Sequence, residues 1–146
     1  MKTQYITYSP TDTFNLANNF SDNLSAGNIV GLSGELGSGK TLFTKGIALG
    51  LGVKEIVNSP TFKLIGEYDS NPPLYHFDFY RLSSASEALA LGLDHYFQAE
   101  GIVVVEWANL FPQIMPKNTI WIDIEISGEH ERNIIIRNKI IETSCN

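Results

Sequence analysis

One glycine-rich segment, Gly34-Glu35-Leu36-Gly37-Ser38-Gly39-Lys40-Thr41, constrains the fold of this chain more than any other feature. It matches the phosphate-loop pattern G-x-x-x-x-G-K-[ST] at every fixed position. Such a loop needs an apolar strand before it and a helix after it, and the flanking sequences NIVGLS and TLFTKGIALGL supply both. The sequence therefore predicts a strand, a phosphate-binding loop and a helix in direct succession.

The loop predicts a site for ATP with magnesium. Its glycines let the backbone turn sharply and point N–H groups inward, and the following helix adds partial positive charge at its N-terminus. In such loops the lysine, here Lys40, bridges the β- and γ-phosphates and counts as catalytic, while the Thr41 hydroxyl binds magnesium. The predicted nucleotide contacts of the loop are Leu36, Gly37, Ser38, Gly39, Lys40 and Thr41.

An acidic residue follows the most apolar run of the chain. Ile-Val-Val-Val at 102–105 has the pattern of a strand buried on both faces, and Glu106 comes next. Phosphate loops commonly work with an acid at the end of a neighbouring buried strand. The usual acid is Asp, so Glu106, with one more methylene, could reach the metal directly or polarise a water molecule.

The segment HFDFYR alternates polar and aromatic residues. A strand there places His76, Asp78 and Tyr80 on one face and two phenylalanines on the other. Asp78 could order an attacking water or a water bound to magnesium, and Arg81 could pair with an acid or a phosphate. An amphipathic strand with its phenylalanines toward the core explains the same pattern.

Three other features indicate a function less strongly. Thr61, within the linking segment SPTF, could sense a γ-phosphate, although a plain turn explains this segment equally well. His95 and His130 have no Cys or His at metal-ligand spacing, which favours structural roles. Cys145 is the single cysteine and lies in a polar C-terminal tail, so it has no partner for an intramolecular disulfide.

The remaining pattern predicts a mixed sheet flanked by helices. We expect a single domain over residues 1–146, with a polar tail from about 138, folded as a three-layer α/β/α sandwich with parallel and antiparallel strands. The predicted strands are 4–8, 28–33, 62–68, 74–80, 102–105, 120–126 and 132–137, and the predicted helices run from Pro10 to about Leu24, from 41 to 52 and from 84 to 91.

Composition limits the partners and the compartment. The chain has 10 basic and 16 acidic residues, a formal net charge of −6 and a pI of about 4.9, which disfavours unaided binding to nucleic acid. It contains no signal-peptide pattern and no run of about 18 apolar residues. We therefore expect a cytoplasmic protein without a membrane segment.

Five segments, GELGSGKT, SPTF, HFDFYR, SSASEALALGLDHYF and VVVEWAN, occur in this order. In a chain of this length and at these spacings they resemble the TsaE family, over roughly residues 5 to 137. HFDFYR and VVVEWAN are more diagnostic than the phosphate loop, which many families share. Members of that family are small ATPases that bacteria need to make threonylcarbamoyladenosine beside the anticodon of ANN-reading tRNAs.

The resemblance implies roles for individual residues. It implies that Thr41 and Glu106 hold magnesium and that Asp78 is needed for hydrolysis. The implied neighbours of the nucleotide are Trp107, Asn109 and, in the less closely matched segment GEHER, Arg132.

The resemblance also implies a protein partner. Threonylcarbamoyl transfer would belong to a complex of two kinase-like-fold subunits, and this chain would couple ATP hydrolysis to their turnover. The net charge of −6 predicts that tRNA is reached only indirectly, through that complex. Because one small domain offers Lys40 and few mobile cations, we expect slow hydrolysis by the chain alone and faster hydrolysis with the partner.

Three other nucleotide-dependent functions are alternatives to the ATPase. A nucleoside or nucleotide kinase could use Asp78 as a base, but it needs several cationic side chains and a closing lid, and the arginines after residue 45 are Arg81, Arg132 and Arg137, without a cluster. A GTPase needs Asn-Lys-x-Asp, whereas the Asn-Lys at 138–139 is followed by Ile-Ile. A nucleotide-dependent assembly factor without catalysis is the third alternative.

Overall fold

A computed structural model describes residues 2–60 and 64–138. They form a seven-stranded sheet in the order β1-β7-β6-β2-β5-β4-β3. The strands are β1 (Lys2–Thr7), β2 (Ile29–Ser33), β3 (Ile65–Tyr68), β4 (Leu74–Asp78), β5 (Ile102–Glu106), β6 (Ile120–Ile126) and β7 (Arg132–Asn138). The helices are α1 (Pro10–Phe20), α2 (Lys40–Leu51), α3 (Ala85–Ala90) and α4 (Leu93–Gln98), with 3₁₀ turns at Ser21–Asn23, Ala108–Leu110 and Pro112–Ile114.

The centre of the sheet is parallel and its margins are antiparallel. Strand β2 lies between β5 and β6 and is parallel to both, and β4 is parallel to β5. Strand β3 is antiparallel to β4, and the series β6, β7 and β1 is antiparallel throughout. The predicted mixed sheet is therefore confirmed. Because β2, β4 and β5 run in one direction, their carboxyl ends meet at the same edge, where ligands bind in open α/β sheets.

Helices cover the two faces of the sheet unequally. On one face, α1 and α2 pack over a core that includes Val30, Leu32, Val104 and Ile122. The core on the other face takes its strand residues mainly from β2, β4 and β5 and packs against α3, α4 and the 3₁₀ turns. The outer strand β1 is exposed from Lys2 to Ile6. The three-layer prediction is confirmed, with a third layer that covers only part of the sheet.

Several element boundaries differ from the predicted ones. Helix α1 ends at Phe20, so Leu24 follows a 3₁₀ turn instead of continuing the helix. Strand β4 ends at Asp78, because the chain turns there and the Leu82 N–H donates to the Phe79 carbonyl at 3.0 Å. In β6, Ile126 is 44% exposed, whereas Ile120, Ile122 and Ile124 on the same side of the strand are buried.

Glycine separates two short helices where only one was predicted. The Ser84 hydroxyl caps α3 by accepting a hydrogen bond from the Glu87 N–H, as its sequence indicated. The spacing of Ser84 and Glu87 is typical of a capping box, but the Glu87 carboxylate accepts from the Ser83 N–H instead of the Ser84 N–H. Gly92, at φ 84°, ends this helix and begins α4, a helix that was not predicted. No helix in the described ranges is long and apolar enough to cross a membrane.

Candidate nucleotide-binding site

The predicted phosphate loop connects the end of β2 to the start of α2. Gly34, Gly37 and Gly39 all have positive φ, at 153°, 81° and 115°. At Gly34 a Cβ atom would lie 2.5 Å from the Ile124 carbonyl oxygen, so this position also excludes side chains by contact. Helix α2 begins after Gly39 without a side-chain cap. Its first N–H groups are therefore not capped by a side chain and can bind an anion.

The Lys40 side chain is held against the phosphate loop by hydrogen bonds to loop carbonyls. Its Nζ donates hydrogen bonds to the carbonyls of Gly34 and Glu35, at 2.7 and 2.9 Å. The same nitrogen lies 3.9 Å from the centroid of a Trp107 ring. Burial lowers the pKa of Lys40, and the charges of Glu106 and Asp78 oppose that shift. A partly desolvated cation beside the loop glycines is suited to interact with a phosphate group.

The Glu106 carboxylate receives hydrogen bonds from two elements. The Thr41 hydroxyl, in the first turn of α2, donates to Oε1 at 2.8 Å and approaches Oε2 at 3.1 Å. The His76 Nε2, on β4, lies 2.6 Å from Oε2. Glu106 is 2% exposed and His76 is fully buried. Thr41 and Glu106, the two predicted magnesium ligands, are therefore adjacent.

Asp78 lies beside Glu106 at the same edge of the sheet, since the two residues are register partners in β4 and β5. Its Oδ1 accepts from the Tyr80 N–H at 2.9 Å, and its Oδ2 accepts from the Ser59 hydroxyl at 2.6 Å. Ser59 connects Asp78 to the segment that follows α2. Thr61, which could either sense a γ-phosphate or belong to a plain turn, lies outside the described residues, as do Phe62 and Cys145.

A cavity of about 450 Å³ joins these groups. It brings together most of the loop with the catalytic candidates Lys40, Asp78 and Glu106. Tyr80 and Arg81 also line it, and the Tyr80 ring packs against Trp107 with centroids 4.8 Å apart. The lining residues are Leu36, Gly37, Gly39, Lys40, Thr41, Leu42, Ser59, Pro60, Asp78, Tyr80, Arg81, Glu106 and Trp107.

A smaller cavity of about 150 Å³ lies on the other side of the loop. It shares Gly37, Gly39 and Leu42 with the larger cavity and includes the otherwise buried Ser38. Its other lining residues are Pro10, Thr13, His130 and Arg132. Pro10, Thr13 and Leu42 belong to no recognisable ligand-binding pattern in the sequence, so they were not predicted as site residues.

Arg132 contacts the loop from the outer side. Its Nε donates to the Ser38 carbonyl at 2.9 Å, and one terminal nitrogen donates to the Gly37 carbonyl at 3.4 Å. The other terminal nitrogen donates to carbonyls of its own β6–β7 turn, including Gly128 at 3.0 Å. In this structure Arg132 therefore fixes the phosphate loop to that turn.

Asn109 is the one predicted nucleotide neighbour that lines neither cavity. It is exposed and borders a separate cavity of about 380 Å³, together with Ser33, Gly34 and Trp107. Trp107, with a left-handed φ of 60°, separates this cavity from the one at Lys40 and lines both. The proposed contact between Asn109 and the nucleotide stays a prediction.

The oxygen atoms of Thr41 and Glu106 suit magnesium, which needs few protein ligands, better than a metal that is coordinated by protein side chains alone. No cluster of three or more His, Cys, Asp or Glu side chains with metal-binding geometry occurs within residues 2–60 and 64–138. Magnesium is commonly held by one or two protein oxygens together with substrate phosphates and water. The adjacent Thr41 hydroxyl and Glu106 carboxylate beside the phosphate loop fit that arrangement.

Comparisons with known proteins show relatives that share one name. A TsaE protein from Bacillus subtilis is 46% identical over 129 residues, which span 88% of this chain and 80% of the relative. A TsaE protein from Rickettsia bellii is 32% identical over 95% of this chain and 97% of its own length. Both relatives bear the name tRNA threonylcarbamoyladenosine biosynthesis protein TsaE.

A solved structure extends the likeness to the whole described fold. The crystal structure of YdiB from Bacillus subtilis superposes with a TM-score of 0.83 at 37% identity, covering 99% of this chain and 92% of YdiB. The family described as threonylcarbamoyl adenosine biosynthesis protein TsaE matches residues 7–134. The resemblance identified from the five sequence segments is therefore confirmed: the chain belongs to the TsaE family.

Proposed function

We propose that this chain is a magnesium-dependent ATPase of tRNA threonylcarbamoyladenosine biosynthesis. The observation that carries the proposal is the convergence of Lys40, Thr41, Asp78 and Glu106 on one cavity beside the phosphate loop. The pathway is supported by membership of the TsaE family and by the names of the relatives. Hydrolysis would drive the turnover of a threonylcarbamoyltransferase complex made of two kinase-like-fold subunits.

The two cavities that border the loop suggest how ATP lies across it. The phosphates would occupy the larger cavity, where Lys40 and the N-terminus of α2 provide positive charge. The nucleoside would extend toward the smaller cavity, past the shared residues Gly37 and Gly39. Arg132 would keep the loop in the shape that separates these two spaces, because it binds the outer carbonyls of Gly37 and Ser38.

Thr41 and Glu106 would hold magnesium, as their contact in the structure supports. When bound, magnesium would neutralise charge on the phosphate oxygens. Asp78 would orient the attacking water, since its carboxylate lines the same cavity and lies next to Glu106 in the sheet. The Ser59 hydroxyl and the Tyr80 N–H would hold the Asp78 side chain in that orientation.

The charges around the cavity favour a partner-stimulated ATPase over a free-standing kinase. Within the described residues, the cationic side chains that line it are Lys40 and Arg81. Phosphoryl transfer develops charge that enzymes neutralise with several cations, and an arginine supplied by a partner can raise the rate by about 10³ to 10⁵. We therefore expect the partner complex to complete the site, and tRNA to contact that complex instead of this chain.

Phosphate release measured with purified chain tests the proposal. The expected result is slow, magnesium-dependent release from ATP that the partner complex accelerates and that Lys40→Met abolishes. A kinase would instead transfer the phosphate to a nucleoside or nucleotide acceptor without the partner. Acceptor phosphorylation by the isolated chain would therefore contradict the proposal.

A further inference from the structure

His76 is a fully buried polar residue to which the proposed function assigns no role. It lies on β4, on the same face as Leu74, which packs in the core beneath α1 and α2. Its Nε2 is 2.6 Å from the Glu106 Oε2. Its Nδ1 has no hydrogen-bond partner among residues 2–60 and 64–138. The Glu106 carboxylate is therefore the one polar contact that the described part of the chain gives this ring.

We propose that His76 is a positioning residue that fixes the Glu106 carboxylate for magnesium. This inference rests on the proposed function, because it assumes that Glu106 binds the metal. It assigns His76 no contact with ATP or with the reacting atoms. Its effect would reach the metal through the orientation of one carboxylate.

The length of the Glu106 side chain explains why such a residue is needed. Phosphate loops usually work with Asp, and Glu has one more rotatable bond, so a buried Glu can adopt more orientations. The contact from Thr41 comes from the residue that would itself bind the metal. The contact from His76 comes from β4, whose backbone is paired with β5 and keeps His76 opposite Val104. The ring can therefore hold the carboxylate whether or not the metal is bound.

The position of His76 also favours this role over simple packing. An apolar side chain could fill the same fully buried site without leaving a ring nitrogen unpaired. A histidine in the Nε2–H tautomer donates to the carboxylate, which is the geometry by which outer residues orient metal ligands. Polar neighbours of this kind typically change metal affinity or activity by about 10- to 100-fold when they are removed.

Two amide substitutions separate this role from packing. The side-chain nitrogen of Gln can reach the place of Nε2, whereas that of Asn is one methylene shorter. ATP affinity is measured by calorimetry with magnesium and again with EDTA, and the ratio of the two constants reports the contribution of the metal. We expect His76→Gln to keep this ratio within about threefold of wild type and His76→Asn to lower it about tenfold or more. Affinity in EDTA should stay within about twofold for both, because the phosphate loop is unchanged.

Phe77→Leu serves as the matched control for fold stability. Phe77 is buried on the same strand but faces the opposite core and packs against Tyr96. Phe77→Leu should lower the unfolding temperature without changing the ratio of ATP affinity with magnesium to that with EDTA. The inference would be overturned if His76→Asn kept the wild-type ratio of ATP affinity with magnesium to that with EDTA. It would also be overturned if His76→Gln and Phe77→Leu both lowered this ratio. Failure of the proposed function is recognised separately, because wild type itself would then show no tightening of ATP binding by magnesium.

Discussion

Replacement of Lys40 by methionine tests the role of the phosphate-loop cation. Methionine keeps most of the side-chain volume and removes the ammonium group, which is 2.7 Å from the Gly34 carbonyl and 3.9 Å from the Trp107 ring centroid. A hydrogen bond from a charged group contributes about 1.5–3 kcal/mol, which corresponds to a loss of roughly 10- to 150-fold in affinity. We expect ATP affinity, measured by calorimetry, to fall within that range.

Lys45→Met provides the control for this measurement. Lys45 is on the same helix and lines neither cavity that borders the loop, so its replacement removes the same charge without the proposed contact. Its ATP affinity should stay within about threefold of wild type, since a partly exposed charge acts weakly at a distance. An equal loss in the two variants, or no loss in Lys40→Met, would refute the assignment of Lys40 to the phosphates.

Lys40→Met should also differ from wild type in how its free energy of unfolding depends on pH. Burial lowers the pKa of Lys40 from its ordinary value of 10.5. The unfolded chain therefore binds this proton more tightly, and the lysine contributes a rise in wild-type stability as pH increases from its folded pKa toward 10.5. Methionine cannot contribute that rise. In urea unfolding without nucleotide or metal, the stability of Lys40→Met relative to wild type should fall over this pH window, and a constant difference would contradict the stated shift.

Three further predictions concern the acids, the loop glycine and the loop arginine. Glu106→Gln should weaken ATP binding in the presence of magnesium but not in EDTA. Asp78→Asn should leave ATP binding unchanged and lower partner-stimulated phosphate release about tenfold or more. If both variants release phosphate at the wild-type rate, the two acids are structural. Gly34→Ala should lower the free energy of unfolding by about 2 kcal/mol or more in urea unfolding, because its Cβ meets a carbonyl, whereas Gly27→Ala, at positive φ in open space, should cost about 1 kcal/mol. Arg132→Ala should raise the Kd for ATP about tenfold by freeing the loop carbonyls, and an unchanged Kd in calorimetry would contradict this.

The parts of the site that depend on local pattern could be predicted from the sequence. The loop glycines, the apolar strand before them and the helix after them are fixed by neighbouring residues, and all occur as predicted. The apolar run before Glu106 placed that acid at a strand end, whereas the alternation around Asp78 predicted a strand that continues to residue 80, and the structure ends it at Asp78. Because parallel strands end at one edge, their proximity follows once the strand order is known.

The remaining features depend on contacts between distant segments. Alternation placed His76 on the polar face, but its bond to Glu106 requires the β4–β5 register. The contact of Arg132 with the loop joins residues 94 positions apart in the chain. Nothing in the short segment after Gly92 distinguishes a second helix from a continued loop, so α4 was missed. The partial third layer depends on how much of the sheet two short helices can cover.

Phosphate release with and without the partner complex tests the central claim most directly. The same purified chain is assayed with ATP and magnesium, alone and with the threonylcarbamoyltransferase complex, and the affinity for that complex is measured with and without ATP and magnesium. We predict slow release by the chain alone, acceleration by the complex and tighter association when ATP is bound, because binding effects between two sites are reciprocal. Turnover by the isolated chain on the order of one per second or faster, together with partner affinity that ignores ATP, would contradict the account.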